Sequence, residues 1–159
     1  MKITYNQIIK EFQDFATAHR QINEFKVGDL WEIVQKESLA ELNYPMLFVQ
    51  DSPASVGDGF ITNSFNILVM DKANEGTVET EVKSDTWLTL LDVLAYFDKL
   101  YTDNWKFVSL QKTGNVSSFT ERFDDTLTGW TMSISFNHNN LLGSQSRLYS
   151  FHFLKITHQ

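Results

Sequence analysis

Carboxylates, histidines and serines are the residues of this sequence that could do chemistry, and their spacing decides what they can do together. Asp124 and Asp125 are adjacent; on an extended chain they point to opposite faces and cannot share a proton or a metal. Glu121 and Asp125 have the spacing of one helical turn, but Phe119 and Phe123 compete to set that local structure, so a turn ahead of a strand is the expected use. The four histidines, His19, His138, His152 and His158, show neither the close pairing nor the accompanying acid of a metal-binding helix. No serine sits in a Gly-x-Ser-x-Gly elbow, and no glycine-rich dinucleotide fingerprint follows a strand pattern. Val56-Gly57-Asp58-Gly59 is followed by no Lys-Ser/Thr pair, so it reads as a plain turn rather than a phosphate loop. With no cysteine there is no thiolate nucleophile, thiolate zinc site or disulfide, which fits assembly in a reducing compartment. The sequence predicts no catalytic residue, no metal and no cofactor, and the protein is expected not to be an enzyme.

The elements that would position any site follow from periodicity. Thr4 and Gln7 have capping-box spacing. Tyr5, Ile8, Ile9, Phe12, Phe15 and Ala16 then form one helical stripe, ending near His19, with His19 and Arg20 placed in the last turn where positive charge suits the helix dipole. Gly28 breaks the chain, and Asp29 can cap a short helix to about Lys36, with a polar loop to Asn43. Tyr44–Gln50 reads as a short apolar strand, with Pro45 at its start suited to an edge. Asp51–Gly59, rich in Ser, Pro and Gly, reads as the clearest loop. Phe60–Lys72 is the longest strand candidate, apolar on nearly both faces.

Asp71–Lys83 is charged and reads as a solvated connection, after which Ser84 or Asp85 can cap a second long helix from Thr86 to about Thr102. Its apolar face is broad: Trp87, Leu90, Leu91, Leu94, Phe97, Leu100 and Tyr101, widened by Leu88 and Val93. Such width predicts a helix lying across a sheet with a second covered side. Lys106–Gln111 is a further strand and Thr113-Gly114-Asn115 a turn. From Trp130 the chain alternates: Trp130, Met132, Ile134 and Phe136 on a dry face, Thr131, Ser133, Ser135 and Asn137 on a small polar one. Asp124, Asp125 and Gly129 precede it as a sharp turn. After Gly143-Ser144-Gln145-Ser146, residues 147–156 form either an internal strand or an arm. Extended, those residues span about 33 Å at ~3.3 Å each, enough to add a strand to a neighbour's sheet.

At 159 residues the chain is expected to be one domain able to bury roughly 68–70% of its unfolded surface. Twenty acids against thirteen bases give a net charge of −7, and the bases are scattered, which argues against a DNA-reading face. The start of the chain turns polar too soon for a signal peptide, and no apolar run approaches the ~20 residues of a membrane span. A soluble chain with no membrane partner is expected. The expected fold class is α+β: a mainly antiparallel sheet, with a mixed one as the alternative, of about four to six strands with two long helices packed on it. Residues 1–138 make a single α+β domain, and 139–159 a C-terminal strand or extended arm of the same domain or reaching a neighbouring subunit.

Four local patterns carry a resemblance: His19-Arg20-Gln21-Ile22-Asn23-Glu24-Phe25-Lys26-Val27-Gly28-Asp29 after the first helix; Tyr44-Pro45 opening a strand; Asn66–Lys72 leading through acids to Val82-Lys83-Ser84-Asp85-Thr86; and Phe119–Phe123 through Thr128-Gly129-Trp130. Over about residues 3 to 138 the chain resembles small neck proteins of tailed bacteriophages, of the tail-terminator or head–tail connector kind, including those of crAss-like and other Bacteroidota phages. The resemblance implies a tail-terminator-like fold and a structural virion protein, made in the host cytoplasm. It also implies a six- or twelve-fold homo-oligomeric ring in the neck or tail that joins portal to tail and lets DNA pass without specific binding. No catalytic residue carries over. The alternatives are a small soluble adaptor or assembly chaperone, and an uncharacterised enzyme.

An acidic chain supplies a neutral or repulsive lumen for DNA. The expected subunit-interface residues are Leu88 and Val93 on the second helix and Leu148, Tyr149, Phe151, Phe153 and Ile156 on the C-terminal segment. Glu75, Glu79 and Glu81 are the expected acidic segment facing the lumen or an adjoining ring.

Overall fold

The computed structural model describes residues 3–29, 42–57, 59–73, 78–104, 108–111, 116–122 and 126–139. Helix α1 spans Tyr5–Ala18, and the capping box at its start is complete: Gln7 N–H donates to Thr4 Oγ1 and Thr4 N–H to Gln7 Oε1. It ends at Ala18, next to the expected end near His19, so His19 and Arg20 fall just beyond the last turn in which they were expected. His19 is the C-cap, with extended backbone, and no basic residue occupies the last turn.

Strand β1 (Glu24–Val27) pairs parallel with β2 (Met46–Gly57), Glu24 opposite Met46 and Val27 opposite Val49. Asn23 N–H to Pro45 carbonyl and Gly28 N–H to Val49 carbonyl extend that ladder at both ends. Beyond them β2 pairs antiparallel with β3 (Phe60–Lys72), β3 with β6 (Thr126–Asn139), and β6 on its other edge with both β4 (Val108–Gln111) and β5 (Ser117–Arg122). The six strands make one sheet in the order β1-β2-β3-β6-β4, with β5 beside the first half of β6. It is a mixed sheet, not the mainly antiparallel one expected, because β1 returns to β2 through a crossover rather than a hairpin.

Helix α2 (Glu79–Asp103) completes the described elements. It starts seven residues before the expected Thr86, at N-cap Val78, which makes no side-chain capping bond. Two features draw the helix upstream of the apparent Ser84 and Asp85 caps. Glu79 and Glu81 lie in its first turn, where negative charge suits the dipole, and Glu79 pairs with Lys83 one turn on at 2.7 Å. Val82 is buried on the same turn.

Asp51–Gly57 is strand rather than loop, and this corrects the composition-based reading. From Gln50 onward β2 has β3 on one side and no described strand on the other, so Pro53 costs no ladder bond there. The register shifts between Ser52 and Ser55, the irregularity an edge accommodates. Of the turn expected at Val56–Gly59, Val56 and Gly57 belong to β2, Asp58 lies outside the described residues, Gly57 pairs with Phe60, and Gly59 takes φ +89. Beyond Asp29, the short helix expected to about Lys36 lies outside the described residues, as do the turn at 113–115 and the segment from residue 140 onward.

Both helices pack on one face of the sheet. Phe12 of α1, Phe65 of β3, Phe97 of α2 and Phe136 of β6, all buried, meet with ring centroids 4.5–6.2 Å apart. Such tilted and edge-on pairs add about 0.5–1.5 kcal/mol each beyond the area they bury. Leu47, Val49, Ile67, Val69, Leu90, Val93, Met132 and Ile134 fill the rest of this core. The other face carries two smaller systems. Leu42, Met46, Phe48, Met70 and Leu127 form a second apolar cluster. Alongside it runs a polar ladder between β3 and β6: Thr62 with Asn137 (2.6 Å), Ser64 with Ser135 (2.8 Å) and Ser133 with Asn66 (2.7 Å).

Candidate interaction surfaces

Helix α2 has two sides. One is core, with Leu90, Val93 and Phe97 sealed against the sheet. The other carries Leu88 and Leu91, 54% and 40% exposed. The two expected interface positions on this helix therefore separate: Leu88 is at the surface, whereas Val93 is 0% exposed and belongs to the core. A helix advances 100° per residue, so Leu88 and Val93 cannot both face outward.

Toward the helix start, Thr80, Lys83, Ser84 and Trp87 line a groove of about 480 Å³ together with Val116 and Trp130. Two tryptophans set its wall. Trp130 donates from Nε1 to the Lys83 carbonyl at 2.7 Å, and its ring meets Trp87 edge-on at 4.9 Å. Trp130 is half-buried rather than sealed in the core.

The β2–β3 hairpin makes the second surface. Val56 is 70% exposed and Phe60 56% exposed, beyond the reach of the helical layer. The acidic positions divide. Glu79 is tied into the fold by Lys83 and by Thr120 Oγ1, which donates to it at 2.7 Å. Glu81 is exposed, and Glu75 lies outside the described residues, as do Leu148, Tyr149, Phe151, Phe153, Ile156, Asp124 and Asp125.

Titratable groups with perturbed environments are dispersed. Burial, then the neighbouring Asp51 carboxylate to which Tyr5 donates at 2.9 Å, pushes the Tyr5 hydroxyl up to about 12. Tyr96, donating to Glu11 at 2.7 Å, is raised by burial first and that hydrogen bond second. Burial also raises Asp71. His138 is buried, and burial lowers its pKa; Asn63 Nδ2 sits 3.0 Å from Nε2, and Nδ1 has no hydrogen-bond partner. His19 Nε2 lies 3.1 Å from Asp92 Oδ2, bridging α1 to α2 instead of facing solvent alone. Among the described residues no group of three or more His, Asp or Glu could hold a metal ion, and no helix is long and apolar enough to cross a membrane.

The hairpin tip and the tryptophan groove were not singled out by sequence reasoning. Exposed Val56 lies in a Ser/Pro/Gly-rich stretch, and the groove needs Trp87 and Trp130, 43 residues apart in the chain, to meet across a helix–sheet packing. No protein-family model matches this sequence, and no curated protein matches it.

Proposed function

We propose that this chain is a structural virion protein of a tailed phage: a subunit of a six- or twelve-fold ring in the neck or tail, of the connector or tail-terminator kind. The ring joins portal to tail and lets DNA pass. The reading takes the α+β fold, with two helices on one face of a mixed sheet, as tail-terminator-like.

The observation that carries association is the second side of α2, where Leu88 and Leu91 stay exposed on a helix whose opposite side is core. With the tryptophan groove on the same helix they leave apolar surface exposed along α2, and exposed apolar surface of this kind marks interaction sites. A net charge of −7 supports a channel through which DNA moves without sticking, since each neutralised phosphate would add salt-dependent affinity. Of the three acids expected to face a lumen or an adjoining ring, Glu81 is described and exposed, in the first turn of α2.

Mass spectrometry of purified virions tests the assignment. A virion component is present in fixed copy number with portal and tail proteins. Its absence from mature particles, with presence in infected cells, would instead favour an assembly chaperone.

A further inference from the structure

We propose that His138 is an acid-sensitive latch on one end of the sheet: neutral, it lets β3, β6 and β4 close together there, and protonated, it opens that end while the rest of the sheet stays paired. The inference concerns the fold itself and stands apart from the ring reading.

His138 is the next-to-last residue of β6 and sits between two strands. It is opposite Ile61 of β3 on one edge and Val108 of β4 on the other. Strand β4 is short, and its pairing with β6 runs from Val108 opposite His138 to Gln111 opposite Ser135, so His138 closes one end of that attachment. By strand alternation it follows Ile134 and Phe136 on the helical face, and it is 6% exposed.

The surroundings suit a neutral ring. Asn63 Nδ2 lies 3.0 Å from Nε2; an amide nitrogen only donates, so Nε2 accepts and the single ring proton is on Nδ1. Nδ1 is buried without a partner. Protonation places a hydrogen on Nε2 as well, and two donors then face each other between β6 and β3. Turning the Asn63 amide would bring Oδ1 to Nε2, but the Nδ1 hydrogen would still lack an acceptor and the charge a counter-ion. The described residues opposite and beside it are uncharged: Ile61 and Asn63 on β3, Val108 and Leu110 on β4. From the helices, Phe12 and Phe97 meet Phe136, two residues before it. On β2, Asp51 is opposite Phe65 and accepts from the Tyr5 hydroxyl. Burial is the cause that lowers the His138 pKa.

Water reaches an imidazolium here only if the strand end separates. The movement required is small, because one residue of β6 follows His138. On the other side, Phe136 is locked among Phe12, Phe65 and Phe97, which stops the opening short of the core. Opening of this kind, from a strand end, costs less than global unfolding.

Amide hydrogen exchange of the wild-type chain, corrected for the intrinsic pH dependence of exchange, tests the latch. The open end takes up its proton at the ordinary 6.5 and the closed end below it, so the opening constant should rise about tenfold per pH unit between those two values. Between about pH 7 and about pH 5, the rise is expected in Ile61–Asn63, Val108–Gln111 and Phe136–His138, and not in Ile67–Val69 or Trp130–Met132, farther along the same strands. Asn63→Asp supplies the missing counter-ion and should abolish the rise, as should His138→Gln. A rise of equal size all along β3 and β6, no rise at all, or a rise that persists in either variant would overturn the latch. If His138→Gln fails to fold, NMR titration of the wild-type ring decides: titration below 6.5 supports the latch, and titration at or above 6.5 overturns it.

Discussion

The backbone of Gly129 on β6 approaches Val69 on β3 so closely that a Cβ on Gly129 would lie 2.0 Å from the Val69 carbonyl oxygen. Gly129 is opposite Met70 on one side and Phe119 on the other, in the interior of the sheet. It is therefore not part of a turn leading into the strand, as its sequence neighbours suggest, but the point where two backbones come closest. Phe119 and Met70 belong to the apolar cluster that covers this outer face.

Gly129→Ala should consequently be costly out of proportion to one methyl group. Relief requires β3 and β6 to separate in the middle of their pairing, and overpacking of this kind costs about 1–3 kcal/mol or more. Urea unfolding of the variant should show that loss, with Gly57→Ala as the control, since Gly57 has open space for a Cβ and no positive φ.

Trp130 contributes an anchor rather than a sealed core residue. Trp130→Phe keeps most of the packing on Trp87 but removes the bond to the Lys83 carbonyl, and should cost about 1 kcal/mol. If the two variants Trp130→Phe and Trp130→Ala proved equally stable to wild type, the helix–sheet attachment described for α2 would be wrong.

Val93 and Leu88 should behave oppositely. Val93→Ala empties core volume and should destabilise the fold by roughly 1–3 kcal/mol. Leu88→Ser should leave unfolding within about 0.5 kcal/mol and weaken self-association instead. Paired denaturation and sedimentation measurements on the two variants separate core from interface.

His138 predicts the sign of one pH effect. Its folded pKa lies below the ordinary 6.5 because burial disfavours the charged ring. The unfolded chain then takes up the proton first as pH falls, so this contribution is whole above about 6.5 and declines below it. The melting temperature of His138→Gln should fall less than that of wild type between about pH 7 and about pH 5. Asp71, raised by burial, acts in the opposite direction at lower pH, where its protonation relieves a buried charge.

Legibility in the sequence followed the range of the interactions. Thr4 and Gln7 lie three residues apart, so the start of α1 could be read locally, as could Phe60–Lys72 and the alternation of Met132, Ile134 and Phe136. Strand β1 is four residues long, too short for a period, and its partner Met46–Val49 lies across a crossover. Glu121 looked like part of a turn because the strand character of Ser117–Arg122 comes from pairing with Thr126–Thr131, not from its own polar sequence. Pro53 and Gly57 gave β2 the composition of a loop, although an edge position made both tolerable. The same misreading hid the hairpin tip, and with it the apolar Val56. Among the expected interface residues, exposure could be told from burial only once α2 had a sheet to lie on: Leu88 and Val93 look alike in the sequence and differ completely in the fold.

Native mass spectrometry of the purified wild-type chain across micromolar concentrations tests the central claim most directly. The account predicts one discrete assembly of six or twelve copies of the 18.4 kDa chain. A monomer at every concentration, or a simple dimer that grows no further, would contradict it.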